Sequence, residues 1–407
     1  MLSPDYLKRV SEGSEEIASL LHNYIIKKII GRMMARLGRG DEYLFTSSDK
    51  WQIQILQDSG ALLEEITAEL AKYTKMQEKE IKAAMEEAGI KAIEKDDEIY
   101  TAAGLSPKPL EQSPLLIRIL ERDMIATMNE WSNYTRTTAE AAQTVFINEC
   151  DMAYRKVITG ATTYTQAVKE AVEEVAKNGV IVRYPSGHKD TIETATARAV
   201  RTGVSQAACA ITLKRMEEMD WDTILVSAHI GARTGDGGEN PGNHLWWQGQ
   251  FYSRTGKDKR FPPFSNTGYG TGEGLGGWNC RHSFGSGDGV NNPYKDIQTA
   301  DNVKMEKLEQ HQRALERRIR KTKREVMAMQ EAVDQCKDNE AKFELQQVLD
   351  RKSYTLQRQN KAYNEFCKEN NLRPLSDRLK IARWSREQAA KARGAARRYQ
   401  NVKGDQV

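Results

Sequence analysis

Residues 308–333 read LEQHQRALERRIRKTKREVMAMQEAV, and their apolar positions decide the fold class. Leu308, Leu315, Ile319, Val326, Met329 and Val333 recur at the three- and four-residue spacing of a coiled-coil seam, with Gln312 and Thr322 as polar interruptions. Leu345, Leu349, Leu356, Tyr363 and Phe366 resume the spacing after a polar break at Asp338-Asn339. Two helices of similar length joined by a short turn make an antiparallel coiled hairpin.

Working outward toward the N-terminus, helical patterns dominate. Ser3-Pro4 opens a helix with a capping residue and a proline where its missing N–H costs nothing. Ile17, Leu21, Tyr24, Ile25, Ile29, Met33 and Leu37 continue it to Gly38-Arg39-Gly40. A second helix is expected from Ser47 to Gly89, with Trp51, Ile55, Leu62, Leu63, Ile66, Leu70 and Tyr73 on its apolar side. Gly104 to Pro114, with its prolines, reads as a connection, after which helices resume to about Met219 with breaks near Gly160 and Gly179. Val180 to Tyr184 is a β-branched run ended by Pro185-Ser186-Gly187, and Thr223 to Ser227 reads as a second strand. Between them Thr191 to Met219 is a helix carrying Arg198 and Arg201, so the frame expected is strand, helix, strand.

The fold class expected is mainly α with a small central α+β, glycine-rich module, elongated helices and a C-terminal antiparallel coiled hairpin. The segments are an N-terminal helical module (1–110), a helical connector (111–179), a small α+β module rich in His, Gly and Trp (180–290), the hairpin (291–370) and a basic tail (371–407). Composition agrees: 407 residues, 39% hydrophobic, 29% charged and 7% aromatic suit charge-covered helices better than a compact β fold. No run approaches the roughly 18 to 20 apolar residues that a membrane span needs, and no export signal is expected. Lys27, Lys28, Arg32 and Arg36 lie among apolar positions; packing against other helices is preferred to a membrane surface for that stretch. Five scattered cysteines without a CxxC pair argue against a disulfide framework and for folding in a reducing cytoplasm.

Beyond Asn370 the chain turns basic, with ten Lys or Arg against two acidic residues from Arg373 to Lys403. Arg383, Trp384, Arg386, Lys391, Arg393, Arg397 and Arg398 are candidate contacts to nucleic acid, because cations neutralise phosphates and rings stack on bases. Ala389, Ala390, Ala392, Ala395 and Ala396 equally support an ordinary helix with one charged face.

The stretch from His229 to Gly289 changes character. It is rich in glycine and nearly free of helical periodicity. Three readings compete for Ser227-Ala-His-Ile-Gly-Ala-Arg233, Asn243-His-Leu-Trp-Trp-Gln-Gly-Gln250 and Gly276-Gly-Trp-Asn-Cys-Arg-His282. His229, His244, Cys280 and His282 are a complete donor set for tetrahedral zinc, although no CxxC or HxxxH pair is present. Alternatively, Cys280 beside Arg281 and His282 is a nucleophile, or His229 and His244 are acid and base in RNA cleavage; no local carboxylate orients either ring. The third reading is a loop-rich module held by its own side chains: Trp246, Trp247, Phe251, Tyr252, Phe261, Phe264, Tyr269 and Trp278 supply apolar area while the histidines and Arg233 satisfy carbonyls. A phosphate loop fails, since no Gly-Lys-Ser or Gly-Lys-Thr occurs there.

The succession Ser-Ala-His-xx-Ala-Arg, His-xx-Trp-Gln-Gly-x-Phe, Gly-Tyr-Gly-xxx-Gly-Leu-x-Gly and Asn-Cys-Arg-His, preceded by Ala199-Val200-Arg201-Thr202-Gly203, resembles the phage minor capsid protein 2 family. That family is distantly similar to the head-morphogenesis proteins of Mu-like phages. The likeness is most specific from about Val180 to Gly289 and extends over the N-terminal helices and over Gln312 to Phe366. On the positions that carry it, Arg201, His229, Arg233, His244, Gln248, Asn279, Cys280, Arg281 and His282 form the candidate binding set.

The resemblance implies a low-copy component of a tailed-phage head, incorporated with portal and major capsid proteins during assembly in the host cytoplasm. Some relatives of the Mu-like group carry toxin or nuclease domains, but this C-terminal part reads as hairpin and basic tail. The expectation is a structural, portal-associated virion protein and not an enzyme, with no cofactor unless zinc occupies the four-residue set. The tail would lie on packaged DNA without sequence preference. No membrane partner is expected, and a homo-oligomer is compatible with the sequence. The rivals are a nuclease or transferase built on His229, His244 and Cys280, and a non-specific DNA-binding accessory protein.

Overall fold

The computed structural model describes residues 1–184, 186–297 and 299–404. It is 69% helical with only small antiparallel sheets, the mainly α class with a small α+β part that the periodicity predicts. The helices are α1 (Pro4–Arg9), α2 (Glu12–Leu37), α3 (Ser48–Ala102), α4 (Pro114–Ile158), α5 (Tyr164–Asn178), α6 (Ile192–Glu218), α7 (His244–Trp247), α8 (Asn302–Gln335), α9 (Asn339–Glu369) and α10 (Arg386–Gly404). The strands are β1 (Ile181–Arg183), β2 (Lys189–Thr191), β3 (Thr223–Val226), β4 (Phe251–Ser253) and β5 (Phe284–Ser286).

The chain forms two compact units, each gathered from three separate stretches. The first comprises Met1–Glu15, Thr74–Ser132 and Thr194–Gln310; the second comprises Glu16–Tyr73, Asn133–Glu193 and His311–Val407.

In the first unit, Ile81, Met85 and Ile93 of α3 bury against Leu116 of α4, Val200, Val204 and Ile211 of α6, and Leu7 of α1. Two helix readings need correction here. The N-terminal helix is not continuous: it breaks at Val10-Ser11. The opened turn is bridged by Arg201, whose guanidinium donates to the Leu7 carbonyl at 3.2 Å and to Ser11 Oγ at 3.0 Å and lies 3.8 Å from Glu15. Nor does α3 stop at Gly89; it runs to Ala102. A Cβ at Gly89 would sit 3.1 Å from Ile211 and 3.2 Å from Leu110, so this glycine marks a close approach within the core rather than a helix end. Ser3 caps α1 as its sequence predicts, its side chain accepting from the Tyr6 N–H.

The expected order of strand, helix, strand is present as β1, α6 and β3, with β2 added before α6. β1 pairs antiparallel with β2, not with β3, and this hairpin belongs to the second unit. Pro185, which heads the turn read after β1, lies outside the described residues. Gly187 follows it with a left-handed φ of 82° and donates its N–H to the Tyr184 carbonyl at 2.9 Å. β3 is the central strand of a separate antiparallel sheet of order β4-β3-β5, with Ile224 opposite Tyr252 on one side and Ser286 on the other. The sequence misses β2, β4 and β5 because these three-residue strands show no period and lack the β-branched run that marks β1.

In the second unit, α9 returns antiparallel to α8. Lys352 of α9 bonds Glu325 at 2.6 Å near the turn, and Tyr363, further along, donates to Glu316 at 3.2 Å. Asp338 caps α9 by accepting from the Ala341 N–H at 2.8 Å. Gln312, a polar interruption of the seam, donates from Nε2 to the Arg373 carbonyl at 3.1 Å, so it meets a backbone acceptor rather than a mismatched neighbour. Elsewhere in this unit Trp51 of α3 stacks on Tyr154 of α4 with ring centroids 4.4 Å apart and donates from Nε1 to Asp151 at 2.8 Å. Among the described residues no helix is long and apolar enough to cross a membrane.

Candidate functional site

The site grows from the ends of the three-stranded sheet in the first unit. β3 runs on into Ser227, whose N–H donates to the Ser283 carbonyl at 2.9 Å; Ser283 N–H returns a bond to Ser227 Oγ at 3.0 Å. This pairing sets Cys280-Arg281-His282, just before β5, beside Ala228 and His229, just after β3. The third segment is the one-turn helix α7, which begins at His244 and is capped by the Asn243 side chain. Beneath them Trp247, Tyr252, Phe264, Leu275 and Phe284 form a buried aromatic core. Of the rings expected to pack, Trp278 does not; it is 62% exposed.

His244, Cys280 and His282 converge. Their three side-chain donor atoms all lie within 4.8 Å of one another and all three residues are buried. Cys280 Sγ is 3.6 Å from His282 Nδ1 and 3.9 Å from His244 Nδ1. The tautomers follow from what lies behind each ring. His244 Nε2 is 2.8 Å from the Glu273 carbonyl, which can only accept, so Nε2 carries the proton. His282 Nε2 is 2.9 Å from Gln248 Oε1, an oxygen that also accepts the His229 backbone N–H at 3.1 Å, so it too is protonated at Nε2. Both Nδ1 lone pairs therefore face the same sulfur. One S–H can satisfy only one of them, and a buried acceptor left without a donor costs about 1–3 kcal/mol.

Burial governs the charge states. It pushes His244 down to about 4, against the Glu273 bond, and holds His282 well below the usual imidazole range, with the neighbouring His229, His244 and arginines adding to the effect. Both rings are neutral at pH 7. Burial pushes the Cys280 thiol up, partly offset by backbone N–H groups of His282 and Gly276. That is opposite to what an activated cysteine nucleophile needs.

The remaining predicted residues take other positions. His229 stacks face to face on His282, centroids 4.5 Å apart and planes 23° apart, and its Nδ1 sits 2.9 Å from the Ile230 carbonyl. Arg281 reaches the Gly231 carbonyl at 3.2 Å and pairs with Glu309 at 3.2 Å. Arg233 donates to the Trp278 carbonyl at 2.9 Å, as expected of a residue that satisfies loop carbonyls. Asn279 is exposed, in the left-handed region at φ 55°. Arg201 bridges the break between α1 and α2. Sequence reasoning misses Asn302: fully buried at the start of α8, its Oδ1 accepts from the N–H groups of Gly231 and Ala232 at 2.8 and 3.0 Å, and its Nδ2 donates to the Ala232 carbonyl at 2.9 Å. Its only signal in the sequence is an asparagine at a helix start, which capping alone would explain.

The candidate nucleic-acid residues lie in the second unit. α10 packs along α9, burying Ala392, Ala395 and Ala396. Arg398 makes two bonds to Asp350, at 2.7 and 3.0 Å, and Lys391 pairs with Glu387 at 2.9 Å. Lys323 lies 5.4 Å from the centre of the Trp384 ring. Arg383, Arg386, Arg393 and Arg397 are exposed.

Fold and site together define a mainly helical protein whose small α+β module turns its polar rings upon one another. A family model described as Phage minor capsid protein 2 matches residues 2–359, and the chain belongs to that family. It is a phage structural protein, a minor component of the capsid. No curated protein and no solved structure matches it.

Proposed function

We propose that this chain is incorporated into a tailed-phage head together with portal and capsid proteins during assembly in the host cytoplasm, and that it catalyses no reaction there. The observation that carries this reading is the extent of the family match, from residue 2 to 359, which spans stretches of both compact units. Quantitative mass spectrometry of purified particles tests the proposal. A low and fixed number of copies per portal ring is expected; absence from particles that hold every other head protein would sink it.

A role against packaged DNA, non-specific in sequence, is supported by one observation: Arg386, Arg393 and Arg397 of α10 are exposed while the apolar face of that helix is buried. Such binding is read by its salt dependence. Replacing Arg393 and Arg397 with Gln should flatten the slope of log affinity against log salt by about one unit for each phosphate no longer neutralised. An unchanged slope would remove α10 from the DNA-binding surface.

A further inference from the structure

We propose that His244 Nδ1, Cys280 Sγ and His282 Nδ1 are protein ligands of a zinc site. Metal-binding histidines usually donate their remote N–H to a carbonyl or carboxylate, which fixes the tautomer and aims the free lone pair. Both rings here are held in that way, His244 by the Glu273 carbonyl and His282 by Gln248 Oε1. Gln248 is itself oriented, since the same oxygen takes the His229 N–H.

The two sulfur–nitrogen distances agree with the geometry. Bonds of about 2.3 Å to sulfur and 2.0–2.1 Å to nitrogen in a tetrahedron place S and N about 3.5 Å apart; the two edges here are 3.6 and 3.9 Å. The His282 backbone N–H points at Cys280 Sγ from 3.4 Å, a donor that stabilises a thiolate. A thiolate-bound cation uses both imidazole lone pairs at once, whereas a lone S–H leaves one without a proton. Two nitrogens and one sulfur suit zinc and exclude calcium and magnesium, which take oxygen ligands.

His229 is not the fourth ligand. Its ring lies face-on against His282, and its Nδ1 is occupied by the Ile230 carbonyl and lies 3.4 Å from Arg281. The positive charge of Arg281 is matched by Glu309. The metal would tie the start of α7 to the segment entering β5, two parts of a module that share little regular backbone pairing.

The test uses the full-length chain. Zinc content is measured after purification without chelator, and the stripped protein is then titrated with cobalt(II), which reports tetrahedral thiolate ligation by a sulfur-to-metal charge-transfer band and strong visible absorption. About one metal per chain is expected, together with a lower melting temperature after stripping. Cys280→Ser should lose the charge-transfer band, while Cys367→Ser keeps it. Gln248→Leu should weaken affinity by about 10- to 100-fold, and His229→Ala should leave stoichiometry unchanged. A folded wild-type chain that takes up neither zinc nor cobalt overturns the proposal without recourse to any variant. A Cys280→Ser protein with the wild-type cobalt spectrum would overturn it as well, and loss of metal in His229→Ala would overturn the three-ligand assignment.

Discussion

The loop-rich stretch from Ser227 to Ser286 and the hairpin of α8 and α9 answer one question in opposite ways: where the backbone hydrogen bonds go. Within the hairpin helices the interior turns satisfy their own N–H and C=O groups, so side chains are free to pack, and Leu345, Leu349 and Leu356 do so. In the loop-rich stretch side chains and other loops do that work. Trp278 N–H reaches back to the Gly272 carbonyl at 2.7 Å and Leu275 N–H to Thr267 at 3.0 Å, while Gln248 and Arg233 serve the loops from within the stretch and Asn302 from outside it. A Cβ at Gly277 would run into the Gly272 carbonyl oxygen, so this glycine is required by backbone packed on backbone. Polar deletions should therefore damage the module most, and apolar truncations the hairpin.

Asn302→Ala puts that contrast under the most strain. It orphans two buried N–H groups and one carbonyl around Gly231 and Ala232, and should cost about 4 kcal/mol in chemical denaturation. A loss under about 1 kcal/mol, the size of one ordinary hydrogen bond, would mean that the loop carbonyls and amides find other partners, and the contrast would fail. Leu349→Ala in the hairpin should cost about 3 kcal/mol, the ordinary penalty for an emptied core position.

The helical unit holds a polar exception of its own. Glu193 is fully buried in the second unit; burial alone would raise it, but Arg324 at 2.6 Å and His22 at 3.2 Å outweigh that and hold it far below its ordinary value of 4.5. The folded form therefore binds its proton less readily than the unfolded chain. Its contribution is complete above pH 4.5 and is lost progressively as pH falls below it. Denaturation at about pH 7 and about pH 3, above that transition and part-way down it, should show this acid sensitivity in the wild-type chain and a shallower dependence in Glu193→Gln; equal slopes would remove Glu193 as its source. At the small end, Arg351→Ala breaks a half-exposed pair with Glu173 and should change stability by no more than about 0.5 kcal/mol in the same denaturation assay.

Legibility follows regularity. The hairpin, its turn at Asp338, the capped start at Ser3 and the breaks near Gly160 and Gly179 stand where apolar spacing and punctuating residues put them. Gly89 misleads because a mid-helix glycine reports either an end or a close neighbour, and only the approach of Ile211 and Leu110 distinguishes them. At the site, the His, Cys and Gln residues are legible as chemistry. Their arrangement is not, because His244 and Cys280 are brought together by loops whose course depends on distant partners such as Asn302.

Local periodicity and composition are enough to establish that the chain is mainly helical, that its C-terminal part is an antiparallel hairpin, and that its unusual chemistry is concentrated between His229 and Gly289. The folded chain alone settles that three separate stretches build each compact unit, that β1 and β3 belong to different sheets, and that His244 and His282 share one sulfur while His229 stacks aside. Those outcomes rest on contacts between residues far apart in the chain, whose energies depend on geometry that no local pattern of residue types encodes.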